Sequence, residues 1–133
     1  MADPADPTII DSIAVTVDDV VTALETNRRT DRRIVLRVTP PFSARMRARL
    51  HRPEGKIDDA VHLNPEHLVD DPPQYPHPDE TRDPDGSYAP ERHHERHTAA
   101  VRAWREAVRE TVVNAVDIPT QAGPHRVVVK PLG

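Results

Sequence analysis

The chain contains no cysteine and only four aromatic residues among its 133. Without cysteine it can form no disulfide, no thiolate zinc site and no cysteine nucleophile. Phe42, Tyr75, Tyr88 and Trp104 are too few for the stacking platforms that single-stranded nucleic-acid binders present. We therefore expect neither a cysteine enzyme nor an RNA-reading fold built on aromatic side chains.

Long apolar runs are also missing. The longest have only three or four residues, whereas a membrane-spanning helix needs roughly 20. The N-terminus does not show the basic and then apolar pattern of a secretory signal, so we expect a cytoplasmic protein with no membrane partner. A length of 133 residues with 36% apolar content indicates one domain with a modest core, residues 9–133, after a polar tail, residues 1–8.

Positive charge is concentrated in one segment. Residues 28–52 carry nine arginines against a single acid, Asp31, which gives a local charge of +8 in a chain of net charge −4. Such asymmetry is typical of a surface that faces a polyanion, or of two oppositely charged parts of one molecule that pair with each other. Sequence alone leaves both interpretations open.

The type of charge points to a family resemblance. Sixteen of the eighteen basic residues are arginine and fourteen of the twenty-two acids are aspartate. With this bias, residues 31–52 (DRRIVLRVTPPFSARMRARLHR) resemble a segment of small uncharacterised haloarchaeal proteins, a family that implies no activity. In molar salt the screening length falls to about 3 Å, so only direct, bidentate arginine contacts to an anion would persist.

Apolar periodicity predicts the elements of the N-terminal half. Ile13, Val15 and Val17 alternate as in a short strand, and a helix capped by Thr16 is expected to continue to about Thr26. Residues 33–39 alternate as in a half-buried strand. After Pro40 and Pro41, we expect a short helix over residues 43–52, with Arg45, Arg49 and Arg52 forming a strip on one side.

The C-terminal half begins with a proline-rich acidic excursion. Residues 53–89 carry seven prolines and a net charge of −8, and we expect them to be partly irregular, with a short helix over 65–69. A long helix is predicted over residues 90–116, ending before Pro119, followed by a strand over 126–130. The fold class is therefore α+β, with a small sheet of two or three strands packed by two or three helices.

Two kinds of ligand site are suggested by the residues. The N-terminus of the helix predicted at Ser43 would suit an anion, with Arg45 nearby. Separately, direct contacts to an acidic partner are expected from Arg37, Arg45, Arg49 and Arg52. If the strands over 33–39 and 126–130 pair, Arg37, Arg126 and Lys130 would share one sheet face. His93 and His97 stand at i and i+4, a spacing that can chelate zinc or nickel. A third ligand would have to come from His77, Glu91 or elsewhere.

These patterns support two functional hypotheses. The first is a non-enzymatic binding module that contacts an acidic partner, nucleic acid or protein, through the arginine-rich surface. The alternative is a metal-dependent or phosphate-handling enzyme that uses the segment HHERH, residues 93–97. A third interpretation is that the acidic excursion folds over the basic segment. No nucleophile motif is present, and the oligomeric state is not predicted.

Overall fold

The computed structural model describes residues 3–55, 59–77 and 90–133. This part of the chain forms two α-helices and seven strands. The helices are α1 (Val17–Arg29) and α2 (Pro90–Arg109). The strands are β1 (Ser12–Thr16), β2 (Val35–Val38), β3 (Arg45–Arg47), β4 (Arg49–His51), β5 (Val61–Leu63), β6 (Ala115–Thr120) and β7 (Gly123–Leu132). The segments Pro7–Ile9 and Pro65–Leu68 form short 3-10 helices.

The strands form two sheets. The first has four strands in the order β3-β1-β7-β6, with β1 parallel to both of its neighbours and β6 and β7 joined as an antiparallel hairpin. Gly123 begins β7 with φ +101°, a backbone conformation that glycine adopts readily. The second sheet has three antiparallel strands in the order β4-β2-β5. The predicted α+β class is confirmed, and strands are more numerous than the sequence indicated.

Helix α1 follows β1 directly. The Thr16 hydroxyl accepts a hydrogen bond from the backbone N–H of Asp19 at 3.2 Å, as an N-cap does. Asp18 and Asp19 lie in the first turn and Arg28 and Arg29 in the last, which complements the helix dipole at both ends. The predicted helix is thus confirmed and continues one turn further than expected.

One hydrophobic core joins both sheets and both helices. Apolar side chains on one face of each sheet pack against α1 and against Trp104 and Val108 of α2. The sheet residues of this core are Ile13, Val15, Leu36, Val38, Val61, Leu63, Val116, Ile118, Val127 and Val129. Each sheet therefore has an inner, apolar face, and its alternate residues point to an outer face.

Residues 45–51 are extended, so the helix predicted over residues 43–52 is wrong. Cations and apolar residues alternate in the segment RMRARLH, which matches the period of a strand. The ladder with β1 supplies the backbone partners, and the N–H of Ala48 continues it by donating to the Ala14 carbonyl at 2.9 Å. Pairing with strands distant in sequence thus outweighs the helical spacing of the arginines.

The long C-terminal helix is shorter than predicted. It ends at Arg109 instead of Val116, and residues 115–120 form β6. Thr111 and Val113 instead exchange backbone hydrogen bonds with Asp70 and Leu68. Pro119 lies inside β6, where it is tolerated because β6 is an edge strand. The predicted strand over 126–130 is confirmed as part of β7.

Part of the acidic excursion is anchored to the core. The short helix predicted at residues 65–69 is confirmed as the 3-10 helix Pro65–Leu68, capped by the Asn64 side chain. The Trp104 indole N–H donates a hydrogen bond to the Pro73 carbonyl at 2.8 Å. The Tyr75 ring packs edge to face on Trp104, with the ring centroids 4.9 Å apart. Residues 70–77 are therefore placed, whereas the rest of the predicted irregular segment, 78–89, and residues 56–58 lie outside the described residues.

Neither α1 nor α2 has the length and apolar character needed to span a membrane, and the same holds for every helix in the described ranges.

Candidate functional site

The arginines of β3 and β4 point to the same side of the chain. Side chains alternate through Ala48, so Met46 and Ala48 turn inward while Arg45, Arg47 and Arg49 are exposed. We call Arg45, Arg47 and Arg49 the outer stripe. Successive members stand about 7 Å apart along the strand, at two residues per step. This stripe runs from the first sheet into the second, because β3 pairs in one sheet and β4 in the other.

A strip of small residues separates the outer stripe from a second set of side chains on the four-stranded sheet. Ser12 lies between Arg45 and Val128, and Ala14 lies between Arg47 and Lys130, by the register of β1 with its two neighbours. The cations of β3 and β7 are thus about 10 Å apart, two strand spacings. We call this strip, with Ser12 and Ala14 between Arg45 and Arg47 on one side and Lys130 on the other, the channel.

In the part of the chain that the structure describes, one ion pair with a carboxylate lies on the outer face of the four-stranded sheet. Arg126 on β7 pairs with Asp117 on β6 at 3.5 Å, and both side chains are more than half exposed, so the pair contributes little. Among residues 3–55, 59–77 and 90–133, no carboxylate forms an ion pair with Arg45, Arg47 or Lys130. Within the described ranges, the charges of Arg45, Arg47 and Lys130 are therefore not neutralised by an ion pair.

Basic side chains also lie on the outer face of the three-stranded sheet. Arg37 lies directly between Arg49 on one side and His62 on the other. The ring centroids of His51 and His62 are 5.4 Å apart, across the face of β2. Arg37, His51 and His62 are half-buried, and β2, β4 and β5 contain no acidic residue. The sequence prediction placed Arg37 with Arg126 and Lys130, but their strands lie in different sheets, so this pairing is wrong.

Ser43 and Arg52 lie at the two ends of this extended segment. The Ser43 hydroxyl donates to the Arg45 carbonyl at 3.0 Å. The helix that would have offered free N–H groups beside Ser43 is not formed, because β3 begins two residues later. Arg52 follows β4 and is exposed. Within the described chain it forms no ion pair with a carboxylate.

The acidic excursion reaches the arginine-rich segment at another point. Arg28, at the end of α1, pairs with Glu66 at 3.5 Å, and the Arg28 and Glu66 side chains are 36% and 55% exposed. This contact lies on the helix side of the molecule and leaves the outer stripe uncovered by the residues that the structure describes.

His93 and His97 lie in the first two turns of α2. They continue the buried face of Val101, Trp104 and Val108 at helical spacing, and both are half-buried. In the described ranges, no three histidine, aspartate or glutamate side chains come together as metal ligands. A zinc site at these histidines therefore stays a sequence-based prediction.

The whole chain matches a known family. Residues 1–133 are covered by the family described as Domain of unknown function (DUF8009). The chain belongs to this family. No curated protein and no solved structure matches it. Family membership agrees with the resemblance to uncharacterised proteins and leaves the activity to be argued from the site.

The structure contains a buried acid, Glu25, that the sequence did not lead us to predict as a site residue. The Glu25 carboxylate, whose side chain is 9% exposed, accepts from Arg105 at 2.7 and 3.0 Å and from the Tyr75 hydroxyl at 3.1 Å. The Arg105 guanidinium holds the pKa of Glu25 below its usual value, against the opposing effect of burial. Burial, and then the charge of Glu25, raises the pKa of Tyr75. The available signal was the position of Glu25 four residues after Val21, on the apolar face of α1.

Proposed function

We propose that this protein is a cytoplasmic, non-enzymatic binding module that holds double-stranded nucleic acid by its phosphates. The outer stripe (Arg45, Arg47 and Arg49) and Lys130 across the channel would make the contacts. The observation that carries the proposal is the alternation of side chains through β3 and β4. It places Arg45, Arg47 and Arg49, at every second position, on one exposed side. Arginine guanidinium groups bind phosphate oxygens in bidentate geometry, which gives this arrangement its chemistry.

The small number of aromatic residues favours binding through phosphate contacts over binding through base stacking. Phe42 and Trp104 are buried, and Tyr75 packs on Trp104. Binders of single strands rely on aromatic platforms to stack bases. A face made of arginine, lysine and small residues instead suits the regular phosphates of a duplex, without reading its sequence.

An acidic protein is the competing partner. Protein interfaces usually draw most of their affinity from a few buried anchors, often tryptophan or tyrosine as well as arginine. The channel has only Val128 and Leu132 as exposed large apolar residues, at 49% and 43%. The rows of cations around a small-residue floor therefore favour nucleic acid, and binding of an acidic protein becomes an outcome of the test.

A salt titration of duplex binding tests the proposal. Each phosphate contact contributes a slope of about −0.9 to the plot of log affinity against log salt concentration. The double substitution Arg45→Gln/Arg47→Gln should reduce the slope by about 2 and weaken binding roughly 60-fold at 0.1 M salt. Arg92→Gln/Arg102→Gln removes the same charge from exposed positions on α2 and is the matched control.

The outcomes separate the candidates. Equal losses in the stripe variant and the α2 control would mean that net charge, and not the channel, drives binding. Tighter binding to single-stranded than to duplex DNA would contradict the duplex proposal. No binding to either, with retention of an acidic polypeptide such as polyglutamate by the wild type only, would favour the protein partner. The haloarchaeal setting implied by residues 31–52 is part of the proposal, so the titration should extend to molar salt.

A further inference from the structure

We propose that the groove between α1 and α2 is a binding site for the phosphate group of a small molecule, held by four side chains: Arg29, Arg105, Thr22 and Thr26. The channel lies on the four-stranded sheet, whereas this groove lies between the two helices. The inference therefore goes beyond the proposed function and does not rest on it. It gives a role to Arg29, an arginine of the basic segment 28–52 that lies outside the outer stripe.

The groove has the size of a small-molecule site. Its volume is about 380 Å³, and pockets that hold small ligands measure roughly 300–1,000 Å³. The two helices run antiparallel along it, because Asp18 in the first turn of α1 pairs with Arg109 at the end of α2, and Glu25 pairs with Arg105 one turn away. The buried Val21 also contributes to the lining. The groove is thus a defined concave surface with mixed polar and apolar walls.

The lining carries one more cation than carboxylates. Arg105 is matched by Glu25, and Arg109 by Asp18. The third cation, Arg29, has only a long contact of 4.0 Å to the Oε2 atom of Glu25, a carboxylate that Arg105 already holds. The Arg29 side chain is 61% exposed, so its guanidinium can turn toward a ligand without breaking a close pair. Among the lining residues the charges therefore leave an excess of one positive charge.

Unused hydrogen-bond donors line the same groove. Arg105 binds Glu25 through its Nε and Nη2 atoms, which leaves its Nη1 atom. Within residues 3–55, 59–77 and 90–133, this Nη1 atom donates no hydrogen bond, and neither do the Arg29 guanidinium or the hydroxyls of Thr22 and Thr26. The two threonines are one turn apart on α1, and both line the groove.

These donors suit a phosphate better than a carboxylate. A guanidinium group binds two phosphate oxygens through parallel hydrogen bonds, and a hydroxyl can donate to a remaining oxygen. A phosphate monoester has three terminal oxygens, whereas a carboxylate has two. Two guanidinium groups cannot be metal ligands, because arginine has no acceptor atom. The groove therefore favours a phosphate, either free or as a group of a small organic molecule.

Isothermal titration calorimetry with inorganic phosphate tests the site. We expect the full chain to bind phosphate in a saturable way. Arg29→Gln should weaken this binding about 10-fold or more, because it removes hydrogen bonds from a charged donor. Arg102→Gln removes the same charge from an exposed position of α2 outside the groove, and it should leave phosphate binding unchanged. Equal losses in the two variants would show that net charge, and not the groove, attracts phosphate.

Two further variants distinguish a built site from diffuse attraction. Arg29→Lys keeps the charge and loses the planar fork, so it should bind phosphate nearly as weakly as Arg29→Gln. Thr26→Val keeps the shape of the side chain and loses the hydroxyl, so it should weaken binding by about 2- to 10-fold. Wild-type affinity in both Arg29→Lys and Thr26→Val would overturn the inference.

The single tryptophan provides a second readout. Trp104 precedes Arg105 and packs on Tyr75, whose hydroxyl donates to Glu25. Occupation of the groove should therefore change the fluorescence of Trp104 over the same range of phosphate concentration as the calorimetric heat. Sodium chloride at equal ionic strength is the control and should leave the emission unchanged.

Other anions identify the source of the phosphate. Tighter binding of glycerol phosphate than of inorganic phosphate would assign the groove to a small phosphate ester, and the reverse would assign it to the free ion. Acetate binding as tight as phosphate binding would contradict the phosphate assignment, and no saturable heat with any of these anions would overturn the site. Arg45→Gln/Arg47→Gln should retain phosphate binding, so failure of the channel and failure of the groove are distinguishable.

Discussion

Glu25 and Arg105 form a bidentate ion pair across the interface of α1 and α2, with the Nε–Oε1 distance at 2.7 Å and the Nη2–Oε2 distance at 3.0 Å. Tyr75 donates to the same carboxylate at 3.1 Å. One acid therefore joins α1, α2 and the anchored part of the acidic excursion.

Removing the charge of Glu25 should destabilise the fold. Glu25→Gln keeps the shape of the side chain and loses the ion pair, leaving the half-exposed Arg105 without its partner. We expect the free energy of unfolding to fall by about 1–2 kcal/mol, between the values for exposed and buried pairs. Urea denaturation measures the change. Glu106→Gln, on the exposed side of α2, is the control and should lie within about 0.5 kcal/mol of the wild type.

The same pair should make stability depend on pH. Arg105 lowers the pKa of Glu25 in the folded protein, so the unfolded chain takes up a proton at this position first as the pH falls. The contribution of Glu25 is present above the unfolded carboxyl pKa, about 4.3. It is lost as the pH falls from there through the folded pKa. The difference in stability between wild type and Glu25→Gln should therefore shrink below about pH 4. A constant difference down to pH 2 would contradict the assignment.

The single tryptophan should be the most sensitive core position on α2. Trp104 is 4% exposed, contacts Tyr75 and donates to the Pro73 carbonyl at 2.8 Å. Trp104→Ala should lower the free energy of unfolding by about 3–5 kcal/mol, because it leaves a cavity and removes the anchor of residues 70–77. Trp104→Phe keeps most of the volume and should cost less than Trp104→Ala. Equal losses for the two variants would show that the hydrogen bond dominates.

A single charge on the channel floor should separate binding from stability. Ala14 lies between Arg47 and Lys130, so Ala14→Glu places a carboxylate between two cations. Cross-strand pairs of opposite charge stabilise a sheet by about 0.2–1 kcal/mol, while two neutralised contacts should weaken duplex binding roughly 60-fold at 0.1 M salt. Ala14→Gln is the isosteric control. Relative to Ala14→Gln, the Ala14→Glu variant should therefore bind duplexes more weakly and have a higher free energy of unfolding in urea.

Local patterns were sufficient for several elements. The cap at Thr16 and the spacing of Val17, Val20 and Leu24 predict α1, because capping and amphipathicity are local properties. Asn64 followed by Pro65 predicts the short 3-10 helix for the same reason. The alternation of residues 33–39 and 126–130 predicts β2 and β7, although not which strands they pair with.

For the segment RMRARLH we predicted a helical period, whereas the structure has the two-residue period of a strand. Arg45 and Arg49 are compatible with i, i+4 spacing on a helix, and Arg45, Arg47 and Arg49 with alternation on a strand. The strict alternation of cations and apolar residues was the better signal. A short segment of this kind is settled by its partners, here β1 and β2, which lie 10 or more residues earlier in the chain.

By itself, the sequence determined the α+β class, the concentration of arginine and the position of the caps, because these depend on composition and on neighbours within a turn or two. Only the tertiary structure decided that Arg45 and Arg47 border a channel with Lys130, while Arg37 and Arg49 meet His51 and His62. Strand order and register arise from burying one common core, and residues far apart in the chain contribute to that burial together. A one-residue change of register would turn the same arginines inward, so their common exposure is a property of the assembled sheets.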